Sequence, residues 1–283
     1  MRTLYVSDLD GTLFNKEKKI SSRSAELINE CMKKGLEFTV ATARMPYGCD
    51  YRLEELSLNV PGILTNGVFL YDFVEKEYLH VEKIEKEASR KVLEIFESVG
   101  LSCFVYVYRE GTISIYYGDR ELEKQTQYYS ERALESCAEV RLVNGFGEVP
   151  DRDNIVYLAL TGEDDVLHPL LESLENIEGI HYAYYLNIYN GLYCLEIFSE
   201  KASKQNALKR LKKMGSYEQV VVFGDNLNDL SMIEIADRSY APENALKEVK
   251  ERVTAVIDGC NEDGVAKFLY QEWENIETSA EQK

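Results

Sequence analysis

Short, solidly apolar runs alternate with amphipathic helical patterns at both ends of this chain, and the middle breaks that rule. Residues 3–7 form a brief apolar run that stops at Asp8-Leu9-Asp10-Gly11-Thr12. A run so short, closed by a glycine, reads as a buried strand. Ser21–Lys34 then shows helical spacing through Ala25, Leu27, Ile28, Cys31 and Met32, with Gly35 as its stop. Leu36–Ala41 and Gly62–Thr65 are the next strands, the second followed by the turn pair Asn66-Gly67. The same grammar returns with a helix over Ser203–Met214, a strand over Gln219–Phe223 and a helix over Leu230–Ala236. A strand over Thr254–Ile257 and a helix over Val265–Trp273 follow, and the polar tail from Glu274 is predicted to fray. Strand–helix–strand alternation requires a parallel sheet covered on both faces.

From Lys83 to Ser199 the period changes to two. In Phe104-Val105-Tyr106-Val107-Tyr108 the valines point one way and the aromatics the other, and Ile113, Ile115 and Tyr117 repeat the alternation. Twelve of the 20 tyrosines lie between positions 106 and 193. This pattern predicts an antiparallel sheet with helices on one side. The valine face should pack under those helices and leave the aromatic face open. The fold class is therefore α/β: a Rossmann-like, doubly wound parallel core (1–82 and 200–283) carrying an inserted α+β domain (83–199).

Thirty-two basic against 50 acidic residues leave a net charge of −18 on 283 residues. That balance disfavours a nucleic-acid backbone or an anionic membrane surface as partner. No stretch approaches the ~20 apolar residues of a membrane span. The first eight residues meet an acid too early for a signal peptide. Six cysteines without CxxC spacing suggest reduced thiols in the cytoplasm, not a zinc site or a disulfide framework.

In an open parallel sheet, ligands bind at the carboxyl ends of the strands. Standing at those ends here are Asp8 and Asp10, Thr42, Asn66, and Asp225 with Asn228 and Asp229. Any one of them could simply make a turn. Together, on successive strand–helix units, they form a functional cluster. Clustered carboxylates repel unless a cation sits among them, and an oxygen-only donor set selects magnesium before zinc. Histidines 80, 168 and 181 lie at none of these ends, which argues against histidine acid–base catalysis.

These residues resemble four motifs of the haloacid dehalogenase superfamily. Asp8-Leu9-Asp10-Gly11-Thr12 is similar to the first, Thr42 to the second, Lys204 to the third, and Gly224-Asp225-Asn226-Leu227-Asn228-Asp229 to the fourth. The insertion between the second and third, and the stretch Asn261-Glu262-Asp263-Gly264-Val265-Ala266, resemble the Cof-type hydrolases with a large α/β cap. Three places depart from the common pattern: Thr42-Ala43-Arg44, the neighbours Ala202 and Gln205 of the lysine motif, and Glu243-Asn244-Ala245. None removes a reactive group.

The resemblance implies a phosphatase in which Asp8 is the nucleophile and Asp10 the acid and base. Magnesium would be held by Asp8, the backbone carbonyl of Asp10, and Asp225. Thr42, Lys204 and Asn228 would hold the phosphoryl group, with Asp229, Asn66 and Arg44 in support. The inserted cap would set specificity, and its aromatic face suits a sugar or polyol. Residues 83–199 hold 10 basic and 21 acidic side chains, a net of −11, which favours small monophosphates over polyanions. The expected partner is a small phosphorylated metabolite, and the expected assembly a monomer or homodimer. A phosphotransferase or mutase on the same scaffold stays open, as does a non-catalytic phospho-receiver or binding protein.

Overall fold

The structure is a computed structural model and describes residues 2–120, 122, 137–187 and 191–281. Tyr128, Tyr129 and Tyr189 of the tyrosine-rich region lie outside the described residues. Two compact units are present, one from Met1–His80 with Ser203–Lys283 and one from Val81–Ala202. The first begins with β1 (Thr3–Ser7), β2 (Glu37–Val40), β3 (Gly62–Leu64), β4 (Phe69–Asp72) and β5 (Glu77–Val81). The second holds β6 (Phe104–Arg109), β7 (Thr112–Tyr117), β8 (Glu139–Leu142), β9 (Ile155–Gly162), β10 (Ile180–Leu186) and β11 (Tyr193–Ser199). The chain then returns to the first unit with β12 (Gln219–Phe223), β13 (Arg238–Pro242) and β14 (Ala255–Ile257).

Five strands of the first unit form a parallel sheet in the order β14-β13-β12-β1-β2. Leu4, Val6, Val220 and Val222 are fully buried, as strands covered on both faces must be. From β1 the chain moves outward to β2 on one side. From β12 it moves outward to β13 and β14 on the other. The order therefore reverses between β1 and β12, and the loops leaving them diverge there. Ser7 is in register with both Phe223 and Val40, so the residues that follow each strand stand at one level.

Three features depart from the sequence pattern. Strand β13 escaped it because Arg238 and Ser239 dilute its apolar signal. Gly62–Leu64 joins β4 and β5 in a separate three-stranded sheet and is tied to the chain just past β2 by an Ala41–Ile63 bridge. The Asn66-Gly67 turn sends the chain straight back as a hairpin. The last helix also outruns expectation, spanning Gly264–Glu281, because nothing after Glu274 breaks a helix.

The second unit is a six-stranded sheet, β10-β11-β9-β6-β7-β8, antiparallel except for the β7–β8 pair. The helices Lys86–Ser98 and Asp164–Glu175 bury Val92, Leu93 and Phe96, and Leu167, Leu170 and Leu174. Tyr182 and Tyr184 of β10 donate hydrogen bonds to Glu175 and Asp164 of the second helix, which identifies the helix-covered face. Val105 lies in that layer with Leu158 and Ile197.

The other face carries a row of rings across four strands. Tyr106 meets Tyr157 edge-on at 5.3 Å, Tyr157 stacks on Phe198 at 6.2 Å, and His181 meets Phe198 at 5.4 Å. Tyr106 in this row is 2% exposed. Each ring's edge or face is taken by its cross-strand neighbour.

Leu4 sits in the centre of the parallel sheet with no exposed surface. Leu4→Ala should cost about 2–5 kcal/mol of core stability, read as a lower urea midpoint with an unchanged slope.

Candidate active site

The diverging loops after β1 and β12 bring the acids together. The Asp8 N–H continues the sheet ladder by donating to the Phe223 carbonyl at 2.9 Å. Gly11, three residues past Asp8, has φ +84°, and a Cβ there would stand 2.4 Å from Asp225 Oδ2. Only glycine lets the first loop lie against the Asp225 carboxylate. Thr12 then donates its hydroxyl to Asp225 Oδ1 at 2.8 Å, and Asn244 donates to the Gly11 carbonyl at 2.7 Å. Gly224 is equally constrained, since its Cβ would fall 2.6 Å from that of Asp229.

Lys204 opens the helix Lys204–Met214, whose N-cap Ser203 accepts from the Asn206 N–H. Its ammonium donates to Asp8 Oδ1 and to Asp229 Oδ1, each at 2.6 Å. The side chains of Lys204 and Asp229 are 1% and 0% exposed. Asp229 Oδ2 accepts the N–H groups of Asp225 and Asn226, so both oxygens of Asp229 are engaged. Asp8 differs: among the described residues its Oδ2 accepts nothing.

Carboxylate oxygens of Asp8, Asp225 and Asp229 come within 4.8 Å of one another. Burial pushes the Asp8 carboxyl well up, and Asp229 and Asp225 add to this while Lys204 opposes it. Burial also lifts Asp225 to about 6, against the opposing hydrogen bond from Thr12. Burial works against the Lys204 ammonium, but Asp229 and Asp8 outweigh it and the net shift is upward. One ammonium among three crowded carboxylates leaves an excess of negative charge that a divalent cation would neutralise. The donors are all oxygen, which fits magnesium. Asp229, with both oxygens taken, is better suited to bracing the loop than to holding an ion.

Asp10 stands apart from this cluster. Arg44 grips its carboxylate with two bonds, Nε to Oδ2 at 2.6 Å and Nη2 to Oδ1 at 2.7 Å. Arg44 also donates to the Gly48 carbonyl at 3.3 Å and lies over the Phe14 ring. Thr42 is buried at the end of β2, where its hydroxyl accepts from the Arg44 N–H and keeps its own proton to donate. Asn66 and Asn228 meet side chain to side chain at 3.3 Å. The nine residues singled out in the sequence thus gather into three linked groups: Asp8–Lys204–Asp229–Asp225, Asp10–Arg44–Thr42, and Asn66–Asn228. Sequence reasoning missed Thr12 and Asn244 as supports. Thr12 was visible inside the first motif, whereas Asn244 follows the strand that went unread.

The position of Asp225 sets a pH dependence. Its folded carboxyl binds a proton more tightly than the ordinary 3.8. The stability this contributes is present at low pH and is lost as pH rises through about 6. Asp225→Asn should therefore raise the melting temperature of the chelator-treated protein more at pH 7.5 than at pH 4.5. An equal gain at both pH values would contradict the raised carboxyl.

A family profile described as haloacid dehalogenase-like hydrolase matches residues 5–269. The 5-amino-6-(5-phospho-D-ribitylamino)uracil phosphatase YwtE of Bacillus subtilis is 27% identical over 280 residues, covering 93% of this chain and 96% of its own. The pyridoxal phosphate phosphatase YbhA of Escherichia coli is 26% identical over 272 residues, again covering 93% and 96%. A haloacid dehalogenase-like hydrolase of Bacteroides thetaiotaomicron shares the fold with a TM-score of 0.76 at 24% identity, covering 96% of this chain and 99% of that one. Four motifs at neighbouring loop ends and a profile spanning nearly the whole sequence agree: this chain belongs to the haloacid dehalogenase-like hydrolases, as a phosphoric monoester hydrolase of that superfamily.

Proposed function

We propose that this enzyme is a magnesium-dependent phosphatase of small phosphomonoesters, working through an aspartyl-phosphate on Asp8. The observation that carries this reading is the asymmetry of the Asp8 carboxylate. Lys204 pins Oδ1, while Oδ2 accepts no hydrogen bond among the described residues. A carboxylate held by one oxygen presents the other as a nucleophile in a fixed direction.

Asp8 Oδ2 forms a bond to phosphorus as the bond from phosphorus to the ester oxygen breaks. Asp10 enters the cycle protonated, released from Arg44, and gives that proton to the departing alcohol oxygen. It then takes a proton from the water that attacks the acyl phosphate, so inorganic phosphate leaves and Asp8 is restored. Arg44 would hold Asp10 while it is a carboxylate, between giving up one proton and taking up the next. Lys204, Thr42 and Asn228 supply donors to the phosphoryl oxygens. Magnesium, held by Asp8, Asp225 and the Asp10 carbonyl, would neutralise charge on the transferring group.

The inserted unit is the proposed selector of substrate. Its net of −11 over residues 83–199 disfavours polyanions. The substrate named for YwtE carries its phosphate on a ribityl chain, a polyol, and a sugar or polyol phosphate is the class we infer here. The six cysteines form no disulfide among the described residues, which is compatible with the cytoplasm as the site of action.

Asp8→Asn should abolish turnover, because an amide does not attack phosphorus. Asp10→Asn should retain metal binding and lose activity ~10²–10⁴-fold. Chelation should remove phosphate release from p-nitrophenyl phosphate, and magnesium should restore it. Activity surviving exhaustive chelation would overturn the metal requirement. In a panel ranked by kcat/KM, sugar and polyol monophosphates should lead. A preference for nucleoside triphosphates would refute the charge argument.

A further inference from the structure

Three consecutive residues after β3 hold left-handed backbone: Thr65 at φ 51°, Asn66 at φ 52° and Gly67 at φ 98°. Glycine adopts this region freely and asparagine readily, but a β-branched threonine is strained there. Strain of this kind persists where neighbours overdetermine the backbone. Here the neighbours are the proposed site's own loops. The Thr65 N–H donates to the Arg44 carbonyl at 3.0 Å, and the Asn66 N–H to the Thr42 carbonyl at 3.0 Å. On the other side, a Cβ on Gly67 would stand 2.3 Å from the carbonyl oxygen of Ser203, the residue before Lys204. The run is wedged between the Thr42–Arg44 loop and the start of the lysine helix.

This wedge aims one side chain. Asn66 Oδ1 accepts from Asn228 Nδ2 at 3.3 Å, and the Asn228 amide has no other partner among the described residues. A primary amide can turn its oxygen or its nitrogen toward a ligand by a half-rotation. Toward a phosphoryl oxygen the first is repulsive and the second binds. Committing one N–H of Nδ2 to Asn66 settles that rotation and leaves the second N–H to donate.

We propose that Asn66 is a positioning residue, held by the left-handed run Thr65–Gly67, that orients the Asn228 amide for the phosphoryl group of the substrate. The proposal rests on the reading of Asn228 as a phosphoryl contact.

A double-mutant cycle tests it. Asn66→Gly keeps the left-handed backbone and removes the acceptor, and Asn228→Ala removes the amide it orients. The readouts are KM and kcat for p-nitrophenyl phosphate, and the Kd of inorganic phosphate with magnesium. Asn66→Gly should raise KM and the phosphate Kd about tenfold with little change in kcat or melting temperature, and the double variant should be no worse than Asn228→Ala alone. Asn66→Asp retains both the acceptor and the left-handed preference, so it should preserve the coupling to Asn228 that glycine loses. Losses that multiply in the double variant, or an Asn66→Gly enzyme that behaves as wild type, would overturn the role of Asn66. If Asn228→Ala itself leaves KM and the phosphate Kd unchanged, the parent reading of Asn228 fails instead.

Discussion

The buried ammonium of Lys204 is the interaction on which the site depends. It joins Asp8, at the end of the first strand, to Asp229, which braces the loop after β12. Burying charges is unfavourable unless each is paired and hydrogen-bonded. Here one cation satisfies two carboxylates, while backbone N–H groups satisfy the remaining oxygens of Asp229. Removing the lysine would leave two buried carboxylates facing each other. The same contact that makes the site affordable in free energy also fixes which oxygen of Asp8 is free.

A second pairing separates the environments of the two aspartates of the first loop. Asp8 and Asp10 are two residues apart, yet they sit in opposite environments. Asp8 is buried against a point charge that binds one of its oxygens. Asp10 is partly exposed and clasped at both oxygens by the planar guanidinium of Arg44. A nucleophile needs a free lone pair, whereas an acid and base needs a stable orientation and access to water. The two environments match the roles proposed for Asp8 and Asp10.

Much of this is legible in the sequence itself. Solid apolar runs of four or five residues have to be buried on both faces, so the strands of the parallel sheet and the acids at their ends could be read from 3–8, 36–42 and 219–225. The period-two stretch at 104–108 likewise separated valines from aromatics. What stayed hidden was whatever depends on distance along the chain. The Thr12–Asp225 bond joins residues 213 apart, and nothing local marks the partner. Arg44 could be placed near the site, but its two-pronged hold on Asp10 could not, because rotamers are decided by packing. The meeting of Tyr106 with Tyr157 depended on cross-strand register, which alternation alone leaves undetermined.

The pairing of β1 with β12 carries a further consequence, for biosynthesis. Thr3 lies opposite Gln219, so more than two hundred residues must be made before the first strand finds its neighbour on that side. Contacts of such long range form late, after loop closure has been offset by other structure. On the ribosome, β1 can meet β2 early, but its other edge stays bare while the inserted unit emerges and acquires its own core. Asp8 therefore waits as an ordinary carboxylate on a half-paired strand until Lys204, Asp225 and Asp229 have been synthesised. The acid cluster is complete only once residue 229 has been made.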